Sequence, residues 1–217
     1  MAAMGLYEDD SYFVYGCDVG EFGGNVFFNN KKSGKVHTYP SGRAVQVLNT
    51  GNAYSIFSVS YHMYGSESQT IVKDPEKLFE ARLQAKFKGF CCNCFISDSI
   101  LQNSSVTTMD STIRKMDVVD KEVDVDPTTG SSFILAFLYK SQTYVLRQDT
   151  GYYRINLIKG VNERCIDSIK HEGGLRYSGW NSVQSFQGVH LVTSRDGRIV
   201  RVHDNKIDIL RYTFKDK

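Results

Sequence analysis

Cys91-Cys92-Asn93-Cys94 is the densest group of chemically versatile side chains in the chain, and Cys91 and Cys94 form a CxxC. A structural zinc site needs four ligands, usually two such pairs. No second pair follows, and Cys17, Cys165 and the five histidines are scattered. A redox CxxC opens a helix, whose positive end lowers the thiol pKa. This one instead follows a segment that reads as a helix and leads into Phe95-Ile96. Lacking those supports for a metal or redox site, Cys17, Cys91, Cys92, Cys94 and Cys165 read as buried thiols or as partners in a disulfide formed late, within or between molecules. The odd total of five cysteines leaves at least one thiol free or paired to another molecule.

Two charged stripes come next. Asp120, Glu122, Asp124 and Asp126 alternate with Val119, Val123 and Val125. On a strand they form a row of carboxylates about 6.6 Å apart. Such a row can hold calcium, meet a basic surface, or guard a sheet edge against unwanted pairing. It is no EF-hand loop, lacking the Gly and the final Glu. Arg211, Lys215 and Lys217 share one face of the last segment, opposite Leu210, Tyr212 and Phe214. The two stripes are complementary in sign, and we assign them as assembly contacts.

Catalytic signatures are missing. There is no G-x-S-x-G elbow. Gly34-Lys35 lacks the rest of a phosphate loop, and Gly20 to Gly24 is not the dinucleotide fingerprint. His62, His171 and His190 would each need a nucleophile and an acid brought to them by the fold. The reading assigns no catalytic, cofactor-binding or metal-ligating residue and expects no enzyme.

The elements that must position these groups are mostly strands. Phe133 to Tyr139 is an unbroken apolar run; Thr143 to Arg147 and Tyr152 to Ile158 follow across short polar turns. This is a three-strand meander. Hairpins are expected from Asn25 to Tyr39, Arg43 to Tyr64 and Val189 to His203, with further strands at Ser11 to Asp18, Phe90 to Ile96, Ile113 to Asp126 and Lys206 to Lys217. Asp98 to Asp110 reads as a polar loop. One helix is expected over 75–88: Asp74 caps it, Pro75 opens it, and Leu78, Phe79, Leu83 and Phe87 form its apolar stripe. The expected fold is mainly β, an antiparallel β-sandwich or jelly roll with that helix, in one domain over 1–217.

Charge and composition narrow the function. The 26 basic and 24 acidic residues give +2, so no global field recommends nucleic acid or an acidic membrane. The N-terminus has no signal-peptide pattern, and the longest apolar run of seven residues is too short to span a bilayer. The expected location is therefore intracellular, in cytoplasm or nucleus. Thirteen Tyr and thirteen Phe suit strands and interfaces.

A small, Tyr-rich, near-neutral β protein with a clasping helix and spare thiols resembles the polyhedrins, the occlusion-body matrix proteins of insect viruses. The resemblance implies a β-sandwich that crystallises in the infected cell, has itself and virions as partners, and dissolves at alkaline pH. Phenols titrating near pH 10 would supply the trigger, with Tyr12, Tyr15, Tyr152, Tyr153 and Tyr212 as the candidates. A non-enzymatic binding module using 98–110 and the basic tail is the second reading. A His-dependent hydrolase or nuclease is the third.

Overall fold

The computed structural model describes residues 4–18, 24–60, 66–81, 118–123, 132–149, 151–159, 162–171, 182–193 and 198–210. The chain groups into two compact units, Met1–Asp124 and Val125–Lys217.

The first unit opens with four strands in series: β1 (Met4–Glu8), β2 (Tyr12–Asp18), β3 (Gly24–Asn30) and β4 (Val36–Ser41). Each pairs antiparallel with the next. A second series holds β5 (Arg43–Asn49), β6 (Tyr54–Ser60) and β7 (Ser66–Val72). The short β8 (Phe79–Glu80) then closes the first sheet, and β9 (Val118–Val123) closes the second. Turn chemistry explains the hairpins. Asn30 Oδ1 accepts from the amides of Lys32 and Ser33, and Gly34 takes φ +68°. Asn49 Oδ1 accepts from the amide of Gly51, which takes φ +89°. Period-2 alternation then sends Tyr12, Val14, Val26, Phe28 and Tyr39 inward from the first sheet. They meet Ala44, Val47, Tyr54, Ile56 and Val72 from the second in one core.

The helix expected over 75–88 is overturned. Asp74 caps as expected, accepting from the Glu76 amide at 3.0 Å, and Pro75 stands first. The result is a single 3-10 turn over Pro75–Lys77. Leu78 is already extended, with φ −73° and ψ 174°. Phe79 then pairs with Thr38 and Glu80 with His37, while the Ala81 amide donates to Val36 O at 2.8 Å. A free edge on β4 supplies backbone partners, and both Leu78 and Phe79 reach the core from the extended chain. Tertiary pairing thus overrides a sound local start signal. Residues 82–88 lie outside the described residues.

The second unit repeats the plan. β10 (Ser132–Tyr139), β11 (Gln142–Asp149), β12 (Tyr152–Lys159) and β13 (Asn162–Lys170) form one sheet in sequence order. β14 (Ser182–Phe186), β15 (Val189–Thr193), β16 (Ile199–His203) and β17 (Lys206–Leu210) form another. Leu135, Phe137, Tyr144, Leu146, Tyr153, Ile155 and Leu157 pack against Val192, Val200, Val202 and Ile207. Leu135, Ala136 and Phe137 are buried in succession, so the middle of β10 is covered on both faces, as its apolar run requires. Each sheet is essentially a meander of chain neighbours, which is not the crossed connection of a jelly roll.

Candidate interaction surface

The last sheet carries the most exposed apolar side chains of the described residues. β14 and β15 are joined by Gln187-Gly188 with φ +47° and +77°, a type I′ turn between Phe186 and its partner Val189. Below that pair come Ser185 with His190, Gln184 with Leu191, Val183 with Val192 and Ser182 with Thr193. Alternation fixes two faces. Val192, Val200, Val202 and Ile207 point into the core. Phe186, Val189, Leu191, Ile199 and Leu210 stand on the opposite, outward face. Phe186 is 74% exposed at the hairpin tip. Arg201 and Asp208 are cross-strand partners on the same face, with Nη2 to Oδ2 at 2.7 Å. Both are about half exposed, so this pair sets charge pattern more than stability.

The core-facing side of the hairpin holds a polar pair. Ser185 Oγ lies 2.7 Å from His190 Nδ1. The His190 ring sits 5.2 Å from Phe137, and its burial pushes the imidazole pKa down, favouring the neutral ring. In the neutral tautomer with its proton on Nε2, Nδ1 accepts a hydrogen bond from the Ser185 hydroxyl. His171 has a different setting. It is buried, 4.6 Å from the Tyr153 ring, and among the described residues neither ring nitrogen has a hydrogen-bond partner. His62 lies outside the described residues.

Two carboxylate hubs hold the framework. Asp9 Oδ1 accepts from the amides of Ser11 and Tyr12, each at 2.8 Å. Its Oδ2 accepts from Tyr54 OH at 2.8 Å and Asn49 Nδ2 at 3.0 Å. Burial pushes the Asp9 carboxyl up, but these four bonds outweigh it and hold it below the usual range. The same arrangement, burial first and then the Asp9 bond and charge, pushes the Tyr54 phenol far up. Tyr12, beside Tyr54 at 5.8 Å, and Tyr7, at 6.1 Å, are raised as well, chiefly by burial. In the second unit Arg147 grips Glu163 with two bonds, Nε to Oε2 at 2.7 Å and Nη2 to Oε1 at 2.6 Å, and Asn156 Nδ2 adds a third at 2.8 Å. Burial again pushes the Glu163 carboxyl up, and the guanidinium's bonds and charge overcome it and hold the carboxyl low.

The residues singled out from sequence are dispersed. Asp120 pairs with Thr70 and Glu122 with Ser68 along β9, the outer strand of its sheet. Asp124, Asp126, Arg211, Lys215 and Lys217 lie outside the described residues, so no meeting of the two stripes is described. Cys17 is a buried thiol and Cys165 an exposed one, neither in a disulfide among the described residues, and Cys91, Cys92 and Cys94 lie outside. Tyr12 and Tyr153 are buried, Tyr15 stacks on Phe27 at 4.9 Å, Tyr152 is exposed beneath Arg154, and Tyr212 lies outside. Among the described residues no group of three His, Cys, Asp or Glu side chains can hold a metal ion. No described helix is long and apolar enough to cross a membrane. The sequence reading missed β14 altogether, because Ser182 to Phe186 sits between a Gly-rich stretch and a strong hairpin. The signal that could have found it is Gln187-Gly188 set between two short alternating runs. Searches of protein-family models, curated proteins and solved structures find no match to this chain.

Proposed function

We propose that this chain is a non-enzymatic, self-associating structural protein. The observation that supports it is the outward face of the β14–β17 sheet, where Phe186, Val189, Leu191, Ile199 and Leu210 share a surface and Phe186 projects into solvent. An apolar group of this kind on a sheet face is the mark of an association surface. Phe186 has the character of an interface anchor, being aromatic and prominent. The occlusion-body matrix is the narrower form of this proposal, adding virions as cargo and dissolution at alkaline pH. Sedimentation equilibrium over a wide concentration range tests the broad form. It predicts reversible self-association that weakens in Phe186→Ser; a monomer at every concentration sinks it.

One observation favours the hydrolase reading instead, namely Ser185 Oγ held 2.7 Å from a half-buried His190. A base beside a hydroxyl is the first requirement of a serine nucleophile. The pair is also what direct cross-strand partners form when simply satisfying each other. A fluorophosphonate probe separates the two: labelling at Ser185 that disappears in His190→Phe supports a nucleophile, and an unlabelled protein leaves a structural pair.

A further inference from the structure

Every sheet has two outer strands, and an outer strand offers unpaired backbone groups to any other strand. Eight described strands hold that position. Seven of them carry a guard. β1 has a bulge between Gly5 and Tyr7, and β5 has one between Ala44 and Gln46 together with Arg43. β10 has a bulge between Phe133 and Leu135. β8 is two residues long and contains Glu80. β9 contains Asp120, Lys121 and Glu122. β13 contains Glu163, Arg164, Asp167 and Lys170, and β17 contains Lys206 and Asp208. β14, Ser182-Val183-Gln184-Ser185-Phe186, has no charge, no proline and an unbroken register, and it pairs with β15 alone among the described strands.

We infer that β14 is a pairing seam and that its occupant is β14 of a second copy, running antiparallel about a two-fold axis at Gln184. This rests on the self-association proposed above and names the surface that does it. The turn fixes which backbone groups are free. In a two-residue hairpin the pair flanking the turn, Phe186 with Val189, exchanges both hydrogen bonds. Alternation then commits Gln184 and Ser182 to β15. The N–H and C=O of Val183 and of Ser185 point outward. Antiparallel pairing centred on Gln184 sets Val183 opposite Ser185 of the second copy, and Ser185 opposite its Val183. The outward groups therefore meet one another, four hydrogen bonds in all, with none left over.

Side chains fit the same register. Val183 is 40% exposed although its partner Val192 is buried, because the core ends at the open edge. A further strand would carry the core past it. The same register sets Phe186 opposite Ser182 of the second copy. Charge agrees as well. β14 and β15 together contain no Asp, Glu, Lys or Arg, and the first formal charge on the outward face, Arg201, sits two strands away on β16. Two copies can thus approach along this edge without opposing like charges. A five-residue seam is only about 17 Å long, so the association is weak and reversible.

The test uses the full chain. Val183→Pro deletes one outward N–H, and Val183→Lys installs the guard the other edges possess. Each should weaken dimerisation at least tenfold by sedimentation equilibrium while leaving the thermal midpoint near that of the parent. Gln184→Cys should give a 184–184 disulfide under mild oxidation, located by peptide mass spectrometry, since a two-fold axis there brings the two thiols together. A parent that dimerises as strongly in both Val183 variants, or disulfides to 184 only from other cysteines, overturns the seam and leaves self-association to another surface. A parent that stays monomeric overturns the seam and the self-association together. A monomer that instead binds an uncharged strand-forming peptide along β14 overturns the choice of a second copy.

Discussion

Raising the pH from about 9 to about 11 should destabilise the first unit by way of Tyr54, and Tyr54→Phe should blunt the effect. Tyr54 is 8% exposed, and its hydroxyl donates to Asp9 Oδ2 at 2.8 Å. Burial, then the Asp9 hydrogen bond and charge, raise its pKa above the ordinary 10.0. The sign follows from linkage. A phenol whose folded pKa exceeds its unfolded value contributes stability fully present below pH 10, and that stability is lost as pH climbs toward the folded value. Each such phenol withdraws up to about 1.4 kcal/mol per pH unit. Tyr54 and Tyr12 together therefore remove up to about 3 kcal/mol by pH 11, from a total of roughly 5–15 kcal/mol for a domain. At neutral pH Tyr54→Phe loses a hydrogen bond to a carboxylate, about 1.5–3 kcal/mol. At pH 11 the variant no longer has that phenol to protect, so about 1.4 kcal/mol of its deficit should vanish. Urea unfolding followed by circular dichroism from pH 8 to pH 11.5 reads the difference, with tyrosinate absorbance reporting which state ionises. Asp9→Asn should bring the Tyr54 pKa partway down, since burial remains after the carboxylate is gone. A parent–variant gap that stays constant across the whole range would refute the reasoning.

Two further outcomes follow from packing and charge. Arg147→Met or Glu163→Gln breaks a bidentate pair with side chains 7% and 16% exposed, and should cost the second unit about 3–5 kcal/mol, measured by denaturant midpoint. Because the Glu163 carboxyl is held below its unfolded value, the parent keeps this contribution above about pH 4.5 and loses it as pH falls through the folded pKa; the Gln variant should lack that acid dependence. Gly24→Ala would place a Cβ 2.2 Å from Cys17 O and 3.1 Å from Gly42 O, both backbone, so β3 must shift. A loss of about 3 kcal/mol or more is expected in thermal unfolding.

The strands around Phe133 to Ile158 are legible because their apolar runs and turns agree with one another. Sequence spacing also placed β3 and β4, β5 and β6, and β15 and β16. What it could not supply was competition. Asp74, Pro75 and the spacing of Leu78, Phe79, Leu83 and Phe87 state a helix honestly. Only the presence of an unfilled edge on β4, some forty residues earlier, decides that Phe79 pairs instead. The tyrosine argument changed in the same way. Composition suggests phenols as an alkaline trigger at contacts between molecules. The structure buries Tyr12 and Tyr54 in the core of one unit, and that burial raises both phenols.

Guarding of edges is the property least available to a reader of sequence, and it carries most of the functional weight. Whether a charge such as Asp120 matters depends on its strand being outermost, which is a fact of sheet order and not of composition. The acidic row reads, in sequence, either as a guarded sheet edge or as a partner for the basic tail, and of its members Asp120 and Glu122 fall on β9. Charges along an outer strand discourage other strands from adding themselves. β14 reverses the logic: Ser182 to Phe186 draws no attention as a sequence because it has no charge and no motif, and those absences acquire meaning only beside the bulges, charges or short length of the other seven described edges. An unprotected edge is a standing aggregation hazard unless something regularly occupies it. Five residues with free groups at positions 183 and 185, and only there, admit a self-paired solution in which every donor finds an acceptor. That geometric closure, more than the hydrophobicity of Phe186, is the reason to expect a second copy at this place.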